Sequence, residues 1–437
     1  MSADQAVPSR VGGSVGTPAA RAVAGSGRDV GSGSVDGAGA PRAARRAGRA
    51  RRRDRLVYLR SHPVLFTLLA ATRRAPVRRI GRTVLVHGTR AYLDALTRVP
   101  LDRAAEGTTG GTARRLTEGG LLFDQEGTVH KGARRSLADD LGSAGVVRLR
   151  PVWTAVLERR LAPLATGGTV DLVDITAELA GATTAALLDL DTDPLVLADA
   201  ARHAAATGAG QHMPGPSRPG SARAARLAAE ALTDLVRDHA ATRARCPAGA
   251  VPPVAGDGPA RTADTGTAAG GEGAAGLAAM LAVAAINTTV AAIPRAAAWC
   301  ADDDLWHWAD DTATRPTLVT ELLRVTAPTP LLPRVAAAPG TVDGCPVRAG
   351  DRLALIARHA VDAHRTDPSH DNPAPPQVAQ LVFGAGPHAC PGAALARAQL
   401  ADTLAALAPY RPKVVRARAD RRAALPGWAV LTVRATR

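Results

Sequence analysis

Cys390 stands in a stretch, Leu381 to Leu400, where several residue types useful for chemistry crowd together. Gly384, Gly386 and Gly392 surround it, Phe383 and His388 precede it, and an Ala/Leu-rich helical pattern containing Arg397 follows. A cysteine in a tight loop at a helix N-terminus is favoured as a thiolate, because backbone N–H groups and the helix dipole stabilise the anion. Glycines let such a loop bring its backbone close to a flat group. A lone cysteine after a glycine-rich turn is otherwise most often a buried structural residue. The spacing of its neighbours weighs against that reading.

Read from Phe383 to Arg397, the order Phe-Gly-x-Gly-x-His-x-Cys-x-Gly-x-x-Leu-Ala-Arg is similar at every fixed position to the haem-binding loop of the cytochrome P450 family. The resemblance implies haem b as cofactor and Cys390 as the axial thiolate on its iron, a ligand that pushes electron density to the metal and favours O–O cleavage. It also implies that Phe383 packs against the haem near the sulfur and that His388 hydrogen-bonds a propionate.

Other stretches carry the same resemblance. Glu321 and Arg324 share one helix face and can form an ion pair. Taken alone they read as a surface contact, but they resemble the family's Glu-x-x-Arg motif, which braces the haem-binding core. Arg334 stands where the family carries an arginine to a propionate. His130 and Arg134 resemble the helix in which a His or Trp is followed four residues later by an Arg, and bidentate arginine suits a carboxylate. Leu281–Ala292 is similar to the oxygen-handling pattern Ala-Gly-x-acid-Thr-Thr, with Ala284, Ala285, Ile286, Asn287, Thr288 and Thr289 in those places. Thr288 would organise the water that delivers protons, with Asn287 beside it.

Three departures accompany these matches. Ala285 replaces the usual glycine, Asn287 replaces the usual acid, and an amide cannot cycle a proton as a carboxylate can. Ahead of the thiolate loop, Arg358–Gln380 lacks the family's Phe-x-x-Arg, whose arginine joins the Glu-x-x-Arg pair. Arg358, His364 and Arg365 are all candidates to replace it. Hydroxylation, oxidative coupling and desaturation all stay open as the reaction.

The elements that must position these residues read as mostly helical. Leu56–Pro76 is apolar at helical spacing and is followed by short strands in VRRIGRTVLVHG. Residues 152–165, 170–190, 221–242, 276–300 and 315–325 are long and periodic enough for core helices. The expected fold is mainly α with small β-sheets, the cytochrome P450 fold. Residues 1–55 lack the apolar area to offset ordering entropy. They are expected to be a disordered basic tail or residues upstream of the true start. One catalytic domain follows over 56–437, with flexible Gly/Pro-rich segments at about 207–221 and 246–274.

Composition bounds the function. The formal charge is +15, but eleven arginines against four aspartates fall in residues 1–55, and no basic stripe interleaved with aromatics follows. Nucleic acid is therefore not an expected partner. The cysteines, Cys246, Cys300, Cys345 and Cys390, form no CxxC pair, which suits a reducing compartment. No run of about 18 apolar residues is read from the sequence, so the expectation is a cytoplasmic monomer without a membrane anchor. Its partners would be a small organic substrate, read as a natural-product intermediate, and a ferredoxin or flavodoxin as electron donor. Substrate contacts are expected from Ala284, Ala285, Leu331 and Leu332, with Trp428 nearby. Two alternatives stand beside this oxidoreductase reading: a peroxide-driven or non-oxidative haem enzyme, and a non-catalytic haem-binding partner protein.

Overall fold

The computed structural model describes residues 48–116, 140–213, 219–245, 269–386 and 389–436. Eleven helices of eight residues or more lie within them: α1 (Arg49–Ser61), α2 (Pro63–Thr72), α3 (Thr89–Thr97), α4 (Thr109–Leu116), α5 (Ser143–Ala165), α6 (Leu172–Leu188), α7 (Pro194–Ala209), α8 (Ser221–Arg245), α9 (Ala269–Asp303), α10 (Arg315–Thr326) and α11 (Ala393–Leu407). The strands are β1 (Val77–Ile80), β2 (Thr83–Val86), β3 (Leu101–Asp102), β4 (Thr169–Asp171), β5 (Leu332–Ala336), β6 (Gly340–Val342), β7 (Cys345–Val347), β8 (Arg352–Leu355), β9 (Lys413–Ala419) and β10 (Trp428–Arg434). They form sheets in the orders β1-β2-β8-β5-β3, β4-β10-β9 and β6-β7. The mainly helical architecture with small sheets is the one expected.

Helix boundaries follow local chemistry. Asp171 caps α6 by accepting from Val173 N at 2.9 Å, and Asp193 caps α7 by accepting from Leu195 N at 2.8 Å. Each satisfies backbone donors that the first helical turn leaves unpaired. With few aromatics, the core is built from Ala, Leu and Val around three fully buried tryptophans, Trp153, Trp299 and Trp306. Small side chains let helices approach closely, and α9 packs against α1, α6, α7, α8 and α10. Among the described helices α9 alone is long and apolar enough to cross a membrane, so the expectation of no such run does not hold for it. Half of its apolar window is buried in the domain, the signature of a core helix.

Part of the stretch expected to be a tail is helical. The last seven residues of the expected tail, Arg49–Arg55, belong to α1, whose buried face carries Ala50, Asp54, Val57, Tyr58 and Ser61. Charge fixes this segment. Arg51 Nε meets Asp367 Oδ1 at 2.6 Å and Arg53 Nε meets Asp302 Oδ2 at 2.6 Å. Buried Asp54 lies between two arginines, Arg295 Nη2 of α9 at 2.6 Å and Arg358 Nη2 at 2.7 Å. Residues 1–47 lie outside the described residues. Of the two expected flexible segments, 214–218 and 246–268 lie outside them as well. Within the described residues α7 runs to Ala209, α8 starts at Ser221, and α9 already begins at Ala269.

Replacing Asp54 would leave two buried guanidinium groups without their carboxylate, and breaking a buried pair from one side costs about 3–5 kcal/mol. Asp54→Ala is expected to lower unfolding free energy by that order in urea titration. An unchanged midpoint would show that α1 is held by its apolar face alone.

Candidate functional site

The approach to Cys390 is a 3-10 turn at Gln380–Phe383 followed by two glycines with positive φ, Gly384 at +78° and Gly386 at +68°. Only glycine adopts such angles without strain. The loop closes on itself where Cys390 N donates to Phe383 O at 2.7 Å. Gly392 is the N-cap residue of α11, so Cys390 sits just ahead of that helix's positive end. A Cβ on Gly392 would lie 3.9 Å from Cys390 Sγ, and one on Gly386 would meet the Leu96 carbonyl oxygen at 3.3 Å. The loop thus presses against the end of α3.

Arg397, which the sequence pattern placed in the motif without a role, projects from the first turns of α11. Its guanidinium carbon lies 4.5 Å from the centre of the Phe383 ring, a cation–π contact. Burial pulls its pKa below the usual arginine range, while the electrostatic interaction with Cys390 pushes it up. A guanidinium beside the sulfur favours thiolate over thiol. Phe383 packs at the margin of the core that contains Ile286 and Val290 of α9, whereas Leu381 and Ala385 belong to a second core with Tyr92 and Leu332. The loop stands where the two cores meet.

Glu321 and Arg324, one turn apart on α10, are both buried and pair bidentately, Nε–Oε1 at 3.0 Å and Nη2–Oε2 at 2.7 Å. The remaining arginine donors go to Val361 O, Thr366 Oγ1, Thr366 O and Asp367 O. The remaining lone pairs of Glu321 accept from Ser369 N at 3.4 Å and Ala374 N at 3.1 Å. Backbone amides therefore occupy the place of the absent Phe-x-x-Arg arginine. None of the three candidates does so: Arg358 pairs with Asp54, Arg365 with Asp362, and His364 lies against His359 with no hydrogen bond to Glu321 among the described residues.

On α9, Thr288 Oγ1 donates to Ala284 O at 2.8 Å. Asn287 Nδ2 donates to Val283 O at 2.8 Å and across to Ala201 O of α7 at 3.3 Å, so the amide ties two helices together. Ala284, Ala285, Thr288 and Leu332 are half-buried. Leu331 is instead buried in a cluster with Tyr58, Phe66 and Leu85. This packing puts Leu331 into the core rather than among the half-buried residues expected to meet a substrate. Arg334 on β5 donates to Pro333 O at 2.8 Å and has no carboxylate partner among the described residues; burial pulls its pKa down. His130, Arg134 and His388 lie outside the described residues. No hydrogen bond or ion pair among the described residues joins Thr288 to the Cys390 loop.

No family model and no curated protein matches the sequence. Solved structures do. The open cytochrome P450 EryK from S. erythraea is 24% identical, with a TM-score of 0.64 over 86% of this chain and 96% of that one. P450BioI, solved in complex with an acyl carrier protein ligated to hexadec-9Z-enoic acid, is 18% identical, with a TM-score of 0.66 over 86% and 99%. CYP108D1 from Novosphingobium aromaticivorans is 21% identical, with a TM-score of 0.64 over 88% and 98%. The chain has the fold of the bacterial cytochromes P450.

Asn287→Asp, which restores the acid usual in the family, removes the donor and sets a carboxylate against two carbonyl oxygens. It is expected to cost about 1–3 kcal/mol in denaturant unfolding. Unchanged stability would show that the amide does not clamp α9 to α7.

Proposed function

We propose that this chain is a haem-thiolate oxidoreductase that uses O2 to oxidise a small organic molecule. One observation carries the reading: in a P450 fold, Cys390 stands at the N-terminus of α11 in a loop closed by its own backbone, with Arg397 and Phe383 against it. The residues suit haem b. A half-buried Arg334 without a carboxylate partner among the described residues is complementary to a propionate, and Cys390 would bind the iron through its thiolate. His388, His130 and Arg134 are assigned to the propionates from the motif, and Phe383 to the haem face beside the sulfur. Bound haem would supply oxygen activation, which a thiolate ligand promotes.

The chain's own groups then have distinct tasks. Glu321 and Arg324 hold the approach to the thiolate loop in register. Thr288, whose proton is committed to Ala284 O, keeps an oxygen that can accept from a proton-carrying water. Asn287 is committed to two carbonyls and acts as a positioning residue. Ala284, Ala285 and Leu332 are assigned to an aliphatic substrate pocket, with Leu331 packed behind Leu332. EryK was solved with erythromycin B and P450BioI with an acyl-loaded carrier protein. These precedents support a natural-product substrate for this chain. Two electrons would come from a ferredoxin or flavodoxin, in the cytoplasm, to a chain that acts as a monomer.

A second reading, a peroxide-driven enzyme that needs no redox partner, is favoured by Asn287, since no acid stands at that place on α9. Turnover of a screened substrate with O2 and reduced ferredoxin, set against hydrogen peroxide alone, separates the two. Coupled oxygen consumption is expected, with product yield falling in Thr288→Ala. Product from peroxide alone would favour the second reading, and haem binding without either turnover would leave a non-catalytic haem-binding partner protein.

A further inference from the structure

We propose that Tyr92 is a haem-binding residue, its phenol donating a hydrogen bond to the cofactor carboxylate that Arg334 also holds. The inference rests on the haem-thiolate reading and extends it, because no motif in the sequence marks Tyr92.

Tyr92 lies in α3 with 0% of its surface exposed, and its hydroxyl has no hydrogen-bond partner among the described residues. Folded proteins rarely leave such a group unsatisfied. Burial pushes its pKa far above the usual tyrosine range, with Arg334 nearby pulling it down, so the phenol keeps its proton and can donate it. Arg334 shows the counterpart. Burial pulls its guanidinium down while Tyr92 pushes it up, and among the described residues it donates to the carbonyl of Pro333. A buried water would satisfy the hydroxyl but would not balance the cation. A carboxylate does both, because it offers two acceptor oxygens and a negative charge to a phenol and a guanidinium that interact electrostatically.

The position agrees with the chemistry. The α3 helix that carries Tyr92 lies against the Cys390 loop, since the Leu96 carbonyl, one turn after Tyr92, approaches the Cα of Gly386. Tyr92, Leu332, Leu381 and Ala385 share one apolar cluster, so the phenol, the strand of Arg334 and the entry to the thiolate loop are parts of one packed unit. Tyr58 supplies the contrast. Its hydroxyl is also buried without a partner, but it lies beneath Arg358, 4.7 Å from the ring centre, and Arg358 already has Asp54. That arginine calls for no further anion.

The test compares haem-loaded wild type, Tyr92→Phe and Tyr58→Phe. The readouts are haem transfer to excess apomyoglobin and the propionate bending band in resonance Raman. Phenylalanine keeps the apolar packing and removes only the donor. Tyr92→Phe is expected to keep the thiolate-type spectrum, to lose haem about tenfold faster, and to shift the propionate band. Tyr58→Phe is expected to change neither. A Tyr92→Phe protein with the wild-type transfer rate and an unshifted band overturns the assignment while leaving the haem-thiolate reading in place. A wild type that takes up no haem overturns both.

Discussion

Two charges taken out of water, Glu321 and Arg324, hold the part of the chain that leads to Cys390. Desolvating such a pair costs several kcal/mol per ion, and the cost is offset only when geometry is good and every remaining donor and acceptor is used. Here the remaining bonds all go to residues 361–374, most of them to backbone. The pair is therefore satisfied only if that segment follows one course. The segment leads through a short helix at Pro376–Ala379 into the turn at Gln380–Phe383 and so decides where the thiolate loop begins.

A second ion-pair network, buried at Asp54 and half-exposed at Arg51, meets the first at Asp367. Arg51 of α1 binds the Asp367 side chain while Arg324 holds the Asp367 carbonyl. Three residues along α1, Asp54 joins Arg295 of α9 to Arg358, which follows β8. Arg295 also reaches Pro426 O, ahead of β10. The N-terminal helix, the long core helix and the lead-in to Cys390 are thus registered by charge, while Ala, Leu and Val supply bulk. Apolar contacts between small side chains are permissive about sliding; buried ion pairs are not.

Much of this was legible in the sequence because local chemistry decided it. The loop glycines, the i, i+3 spacing of Glu321 and Arg324, and the helical periodicity of α5, α6 and α10 are short-range signals that the structure satisfies. What escaped depended on partners distant in the chain. Arg49–Arg55 looked like a solvated basic run because the carboxylates that order it, Asp302 and Asp367, lie some 250 to 316 residues away. The substitute for the missing arginine was sought among side chains and proved to be backbone N–H groups, which every residue but proline carries. Leu331 and Leu332 were read as a pair, but neighbouring residues in extended chain face opposite ways and their side chains enter different clusters. Tyr92 carried no signal beyond being an aromatic residue on an apolar helix face.

Cys390 as the axial ligand is the claim on which all the proposed chemistry stands, and the reduced carbon monoxide difference spectrum reads it directly. The purified wild type should show the Soret band at the thiolate position, and Cys390→Ser should lose it while keeping the helical content of the fold. A thiolate-type band that survives in Cys390→Ser would contradict the assignment, since the sulfur on the iron would then belong to another residue.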